Sequence, residues 1–406
     1  SMRILFVTTN LPVPPTNGQA IRTLSIIRGL ASLGHDLSFV SLVPRGHSER
    51  KNGLDQFCLS VDLVGSSVAN MSQGSAYLGR AISLLKCKPY SLERFHVPSM
   101  QDKVSQHLEK GETDVIVSDS IYALANVPKT GVPIVLNTHN VEYAIYDRYT
   151  TVESSLIKRK YAGIEKRLLK GAEQRSCCRA AIVLTCSAVD RELLTALCSE
   201  RGVYVVPNVV DIEHYESSHC NGSSAGPVLL FQGSMDWYPN RDAVEHFVRN
   251  IFPKVRERFP EVKFIVAGRN PPAHFVAEFT RFQGVEFTGT VPDMRPYLDS
   301  ATLVVVPLRV GGGTRIKILE ACAAGKAVVS TTVGAEGLNL QNGTEIVLAD
   351  SPSAFAEEVT SLLTDRQKAK SVAAAAKAVV VGQYSQHALV ESLRRAFEGL
   401  SNTKPD

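Results

Sequence analysis

RILFVTTNLPVPPTNGQAIRTLSIIRGLASLGHDLSFVSLV, residues 3–43, decides the fold. It opens with an apolar run, Arg3 to Thr8, of strand length. A loop follows with Pro12, Pro14, Pro15, Asn17 and Gly18. Apolar residues then recur at Ile21, Leu24, Ile27, Leu30 and Leu33, the spacing of one helix face. Gly34 ends that helix, and a second apolar run starts at Leu37. Strand, crossover helix and strand form a βαβ unit, and such units build parallel sheets.

The alternation continues. Asp114 to Ser118, Pro133 to Asn137, Ala180 to Thr185 and Val203 to Val206 are short apolar runs bounded by turn residues, as in strands buried on both faces. Ser187 with Asp190 resembles a capping box that opens a helix. From Asn208 to Gly226 the chain turns polar and Gly/Ser-rich, which reads as a linker. A second series begins at Val228 to Gln232. It runs through Val262 to Ala267, Val285 to Thr288, Thr302 to Pro307, Ala327 to Ser330 and Ile346 to Leu348. The prediction is an α/β protein of two Rossmann-like, doubly wound domains. Residues 1–208 form the first, joined by a C-terminal helix at 385–406, and residues 209–384 form the second. Ligands of such sheets bind at the carboxyl ends of the strands, so a cleft between the two domains is the expected site.

Composition narrows the partners. The 406 residues carry a formal net charge of +4, too mild to point to nucleic acid. No apolar run approaches the roughly 20 residues that span a bilayer. A cytoplasmic protein is expected, with peripheral contact at the inner face of a membrane as an option. The eight cysteines lack metal spacing and read as free thiols. The first loop offers only Asn17-Gly18, without the G-x-G-x-x-G fingerprint, which argues against a nicotinamide or flavin enzyme.

The chemistry concentrates in PLRVGGGTRIKILEACAAG, residues 307–325. A strand ends at Pro307. Gly311, Gly312 and Gly313 follow, and a helix is predicted from near Thr314. Glycines at a helix start let backbone N–H groups approach an anion, and the helix dipole adds partial positive charge. Arg309, Arg315 and Lys317 cluster at the same turn and suit a diphosphate. A plain strand-to-helix turn with solvated basic residues is the alternative. Lys317 and Glu320, three residues apart, would then be a surface pair worth about 0.3 kcal/mol. In the functional reading Glu320 instead accepts both hydroxyls of a nucleotide's ribose.

Several spaced motifs together resemble the GT-B-fold retaining glycosyltransferases of family 4, also called glycosyl transferases group 1. They are LFQGSMDWYPNRDAVEHF from Leu230, FIVAGRNPP from Phe264, VEFTGTVPDMRPYL from Val285 and VVVPLRVGGGTRIKILEACAAGKAVVSTTVGAEGL from Val304. LNTHNVEY from Leu136 and the Gly18 loop resemble the acceptor-side half. The resemblance implies transfer of a hexose from a nucleotide sugar, UDP-glucose by preference and GDP-mannose as an alternative, to a polysaccharide, glycolipid or other hydroxyl acceptor. It implies retained anomeric configuration and no metal; no Asp-x-Asp pair is evident.

Residue by residue, the resemblance places Glu320 on the ribose and His139 near the donor sugar. It places Gly18, Gly233, Gly268, Arg269, Thr290, Val291, Gly311, Gly313, Thr314 and Ile316 around the donor. His139 has a second reading, a strand-end histidine that caps a turn. Two departures stand out. The family's first glutamate falls on Gly312, where backbone N–H would have to serve. The Arg and Lys that usually neutralise the diphosphate fall on Ser234 and Asn240. Arg241, Arg309, Arg315 or Lys317 must then supply the charge, Arg315 first because it sits on the turn. The stretch IKRKYAGIEKRLLKGAEQRSCCRA from Ile157 predicts a basic amphipathic helix at 155–179. It is either an ordinary surface helix or a face for anionic membrane or a lipid-linked acceptor. Two further functions compete: a nucleotide-sugar epimerase and a non-catalytic nucleotide-sugar-binding protein.

Overall fold

The structure is a computed structural model that describes all residues except 16, 47–52, 68–82, 84–85, 199–201, 217–225, 312–314 and 403–406. Gly312, Gly313 and Thr314 therefore lie outside the described residues, as does most of the Gly/Ser-rich stretch at 217–225. The chain divides into two compact units, Ser1–Pro207 with His387–Asp406, and Asn208–Gln386.

The first unit holds a parallel sheet of seven strands. They are β1 (Arg3–Thr8), β2 (Asp36–Pro44), β3 (Ser60–Ser66), β4 (Val115–Asp119), β5 (Ile134–Asn137), β6 (Ile182–Thr185) and β7 (Gly202–Val205), ordered β3-β2-β1-β4-β5-β6-β7. The order reverses between β1 and β4, which is where doubly wound sheets bind ligands. β1, β4, β5 and β6 are buried on both faces apart from Arg3, as their unbroken apolar runs require. β3 was not anticipated. It is an edge strand with mostly half-buried residues, so it lacks the apolar run that betrays the others.

The first crossover helix, Gly18–Ser32, is capped by Asn17, whose side chain accepts from the Ala20 N–H at 3.0 Å. It buries Leu24, Ile27 and Leu30 as the periodicity predicts. It also buries Arg22, which sequence periodicity did not flag. The capping box at Ser187 forms: its hydroxyl accepts from the Asp190 N–H at 3.1 Å. The C-terminal helix, Gln386–Asn402, lies on this unit with Phe397 5.6 Å from the His35 ring.

The second unit repeats the architecture with six strands. They are β8 (Val228–Gln232), β9 (Lys263–Ala267), β10 (Val285–Gly289), β11 (Leu303–Val306), β12 (Val328–Ser330) and β13 (Val347–Leu348), ordered β10-β9-β8-β11-β12-β13. Here the reversal falls between β8 and β11. Its core centres on Phe247, Phe252, Phe264 and Phe355, with the Phe247 and Phe264 rings 4.4 Å apart.

One backbone contact sets the upper edge of this sheet. A Cβ placed on Gly268 would stand 1.8 Å from the Gly233 carbonyl oxygen, so only glycine lets the β8 and β9 loops close. The Gly233 N–H donates to Ala267 O at 3.0 Å, and the Met235 N–H donates to Arg269 O at 3.0 Å. Gly268→Ala is expected to cost about 3 kcal/mol by overpacking, the upper end of the usual range. Urea unfolding monitored by circular dichroism measures it.

Candidate functional site

In the second unit the zipped β8 and β9 loops bring polar side chains to the β8–β11 reversal. Asn240 heads the helix Tyr238–His246 and is buried; its Nδ2 donates to Ser234 O at 2.8 Å. Its Oδ1 faces the other way and accepts from Lys317 Nζ at 2.6 Å. Lys317 sits on the helix Ile316–Ala323, one turn past the glycine-rich loop, with its amine 4.5 Å from the centre of the Phe231 ring. Among the described residues no ion pair holds it. Burial pushes the Lys317 amine down to about 7, with the charge of Arg315 acting in the same direction and that of Glu320 against it.

Glu320 lies a turn further along the same helix. Its Oε1 accepts from the Tyr215 hydroxyl at 2.8 Å, and its Oε2 accepts from Gln232 Nε2. Burial pushes this carboxyl up to about 7, against those two hydrogen bonds and the charge of Lys317. Gln232 Oε1, buried beside it, has no partner among the described residues. The surface pair read between Lys317 and Glu320 does not form: each takes partners from β8 and its neighbours instead. Tyr215 and Gln232 carried no signal in the sequence, because Tyr215 lies inside the stretch read as a linker and Gln232 looks like ordinary strand.

The other cations are engaged differently from expectation. Arg315 is buried in the left-handed region at φ 49°, just before the helix, which begins at Ile316 rather than Thr314. Its Nε donates to the Glu336 carbonyl at 3.0 Å and its Nη2 lies 3.6 Å from the Glu336 carboxylate. Arg309 is held twice by Asp242, at 3.0 and 2.5 Å. Arg241 donates to Met235 O. Arg269 reaches across to Ser234, its Nε donating to Oγ at 3.2 Å. Thr290 is exposed and Val291 half-buried just past β10, and the Gly268 N–H donates to Gly289 O at 3.3 Å. Gly311, at φ 153°, has Arg315 and Trp237 as neighbours.

In the first unit the last residues of three strands form one row: Thr8 lies opposite Asp119, and Asp119 opposite Asn137. Asp119 is fully buried and accepts four hydrogen bonds. Thr23 donates at 2.7 Å, Thr8 at 3.0 Å, Asn137 Nδ2 at 2.6 Å and His139 Nε2 at 2.9 Å. Burial pushes its carboxyl up, but the His139 ring and these donors outweigh burial and hold it below the usual value. Arg22 anchors the row, donating to Asn137 Oδ1 at 2.9 Å and to Val206 O at 2.8 Å. His139 thus pairs with a carboxylate and does not cap a turn. Asp119 was missed by sequence reading, although its place at a strand's carboxyl end was the same signal that singled out His139. Gly18 opens the helix that carries Arg22 and Thr23.

The basic helix spans Leu156–Arg179. Its first turns leave Leu156 63%, Ile157 82% and Ile164 48% exposed, among the exposed Lys158, Arg159, Lys160 and Arg167. Its inner face supplies Glu173, which accepts from the Glu142 and Tyr143 N–H groups at 2.8 and 2.9 Å and so caps the helix that follows His139. Among the described residues no helix is long and apolar enough to cross a membrane.

Comparison with known proteins matches each unit. The family model for Glycosyltransferase Family 4 matches residues 16–214, and that for Glycosyl transferases group 1 matches residues 226–365. An uncharacterised 44.6 kDa protein in the cps region of Klebsiella pneumoniae is 20% identical over 96% of this chain and 98% of its own length. The phosphatidyl-myo-inositol mannosyltransferase of Mycobacterium tuberculosis is 28% identical over 49% of this chain and 54% of that enzyme. Anabaena HepE, solved in complex with UDP and glucose, superposes with a TM-score of 0.66 at 17% identity, over 99% of this chain and all of HepE. Two doubly wound parallel sheets, each matched by a glycosyltransferase model, make this chain a glycosyltransferase of GT-B fold.

Proposed function

We propose that the chain transfers a hexose, with retention, from a nucleoside diphosphate sugar to a hydroxyl of a glycan or lipid-linked acceptor, with no metal in the reaction. UDP-glucose is the first donor in this reading, supported by HepE, whose structure holds UDP and glucose. The observation that carries it is the pair Lys317 and Glu320, a cation and a carboxyl one turn apart whose hydrogen bonds go to other partners. A diphosphate supplies Lys317 with the anion its amide partner cannot. The pentose hydroxyls donate to Glu320 and to the unpartnered Gln232 Oε1.

The two substitutions at Ser234 and Asn240 fit this reading. Each position is touched by a cation from elsewhere, Arg269 at Ser234 and Lys317 at Asn240. The charge has moved along the chain but stays at the same edge of the sheet. Lys317 thus takes the role first given to Arg315, whose guanidinium leans on Glu336. As the bond from the sugar's anomeric carbon to phosphate breaks, these fixed cations and the helix start stabilise the departing diphosphate. The acceptor oxygen bonds to the same carbon from the same face, and its proton passes to a diphosphate oxygen. His139 orients a sugar in this scheme. The exposed apolar and basic turns at Leu156–Arg167 suit an anionic membrane that presents a lipid-linked acceptor.

Titration calorimetry with UDP-glucose and GDP-mannose tests the donor site. A lysine near 7 is mostly neutral at pH 8 and gains a proton when a diphosphate arrives. Binding at pH 8 is therefore expected to take up protons, seen as a buffer-dependent heat, and Lys317→Met is expected to abolish the uptake. Affinity should weaken as pH rises above 7. Glu320→Ala should weaken donor binding roughly ten- to a hundredfold, the loss of charged hydrogen bonds worth about 1.5–3 kcal/mol. Undiminished binding and transfer by Glu320→Ala would refute the assignment.

Vesicle flotation tests the membrane face. Binding is expected to vesicles containing anionic lipid, to fall as salt is raised, and to be lost in Ile157→Asp combined with Lys158→Glu. Equal binding to neutral vesicles, or none to anionic ones, removes the membrane from the proposal.

A further inference from the structure

The Asp119–His139 pair leaves one atom unaccounted for. His139 is 5% exposed, and its Nε2 is spent on Asp119. Its Nδ1 is buried and has no hydrogen-bond partner among the described residues. A buried aspartate–histidine pair that served stability alone would satisfy both ring nitrogens, since an orphaned buried polar atom opposes folding. The carboxylate, by contrast, is saturated by donors from β1, the Gly18 helix, β5 and His139.

That saturation fixes which ring nitrogen carries a proton. An ionised carboxylate only accepts, so the nitrogen that faces it must carry the proton. A neutral imidazole with Nε2–H has a bare lone pair on Nδ1. Asp119 cannot turn away, because Thr8, Thr23 and Asn137 grip both of its oxygens and Arg22 grips Asn137. The next residue, Ser120, is held at φ 112°, a strained conformation for a non-glycine residue beside a functional group. We propose that Asp119 is a positioning residue: it fixes His139 with Nε2 as donor and so leaves Nδ1 to accept a hydrogen bond from a hydroxyl of the sugar substrate. The inference rests on the reading that this chain handles sugars, and it adds the residue and the atom.

Nitrogen NMR of the full chain labelled with 15N-histidine reads the tautomer directly. The free protein is expected to show His139 with Nε2 protonated and Nδ1 bare. Saturating UDP-glucose is expected to shift the Nδ1 signal and leave Nε2 nearly in place. Asp119→Ala is expected to mix the two tautomers and to lower kcat/KM for UDP-glucose turnover roughly ten- to a hundredfold, as when the carboxylate behind a metal-bound histidine is removed. If Asp119→Ala fails to fold, two other substitutions decide the matter. His139→Asn places an amide oxygen where Nδ1 lies and should retain more turnover than His139→Gln, whose amide lies at Nε2.

A protonated Nδ1 in the free protein would overturn the proposal. So would His139→Gln outperforming His139→Asn, or an Nδ1 signal unmoved by UDP-glucose that demonstrably binds. If no nucleotide sugar binds at all, the proposed function fails, and the tautomer of the free protein still decides what Asp119 does.

Discussion

A lysine amine held by a carboxamide is an unfinished electrostatic arrangement. Lys317 has left bulk water for the side of Phe231 and the Asn240 oxygen, and no carboxylate among the described residues pairs with it. Desolvating a cation in this way is unfavourable unless an anion completes the site. The neighbouring carboxyl, Glu320, attracts the amine but makes no ion pair with it, its oxygens being taken by Tyr215 and Gln232. In the proposed reading these two groups within one helical turn offer one end to an anion and the other to hydroxyl donors. A nucleoside diphosphate presents those groups in that order.

The two units solve the same problem with different chemistry. Both are parallel sheets whose strand order reverses beside the first strand, and both gather polar side chains at the carboxyl ends flanking that reversal. In the second unit the close backbone approach at Gly233 and Gly268 sets the spacing, and Arg269 and Lys317 reach Ser234 and Asn240 beside it. In the first unit strand register does the work: Thr8, Asp119 and Asn137 stand in one row, and the buried Arg22 ties that row to the chain at Val206. The first arrangement suits charge, and the second suits the orientation of a single ring.

Much of this was legible in the amino-acid order, and the failures have physical causes. Runs such as Leu303–Val306 announce doubly buried strands, and the glycine-rich turn announces a helix start. β3 hid because an edge strand is wetted and loses its apolar run. Arg22 hid because an arginine inside an apolar helix face looks like noise until its partners, 115 and 184 residues away, are in place. The partners of the cations were hidden for the same reason. Arg315 sits on the turn, as its position suggests, but Glu336 claims its guanidinium from 21 residues on. Asp242 likewise claims Arg309. Which cation remains for a ligand is settled by tertiary pairing, which spacing along a chain does not encode.

A crystal of the chain soaked in UDP measures the central claim most directly. The account predicts phosphate oxygens within hydrogen-bond distance of Lys317 Nζ and the pentose hydroxyls on Glu320, with Gln232 Oε1 taking one of them. A nucleotide bound elsewhere on the chain, or seated here with its phosphates turned away from Lys317, would contradict it.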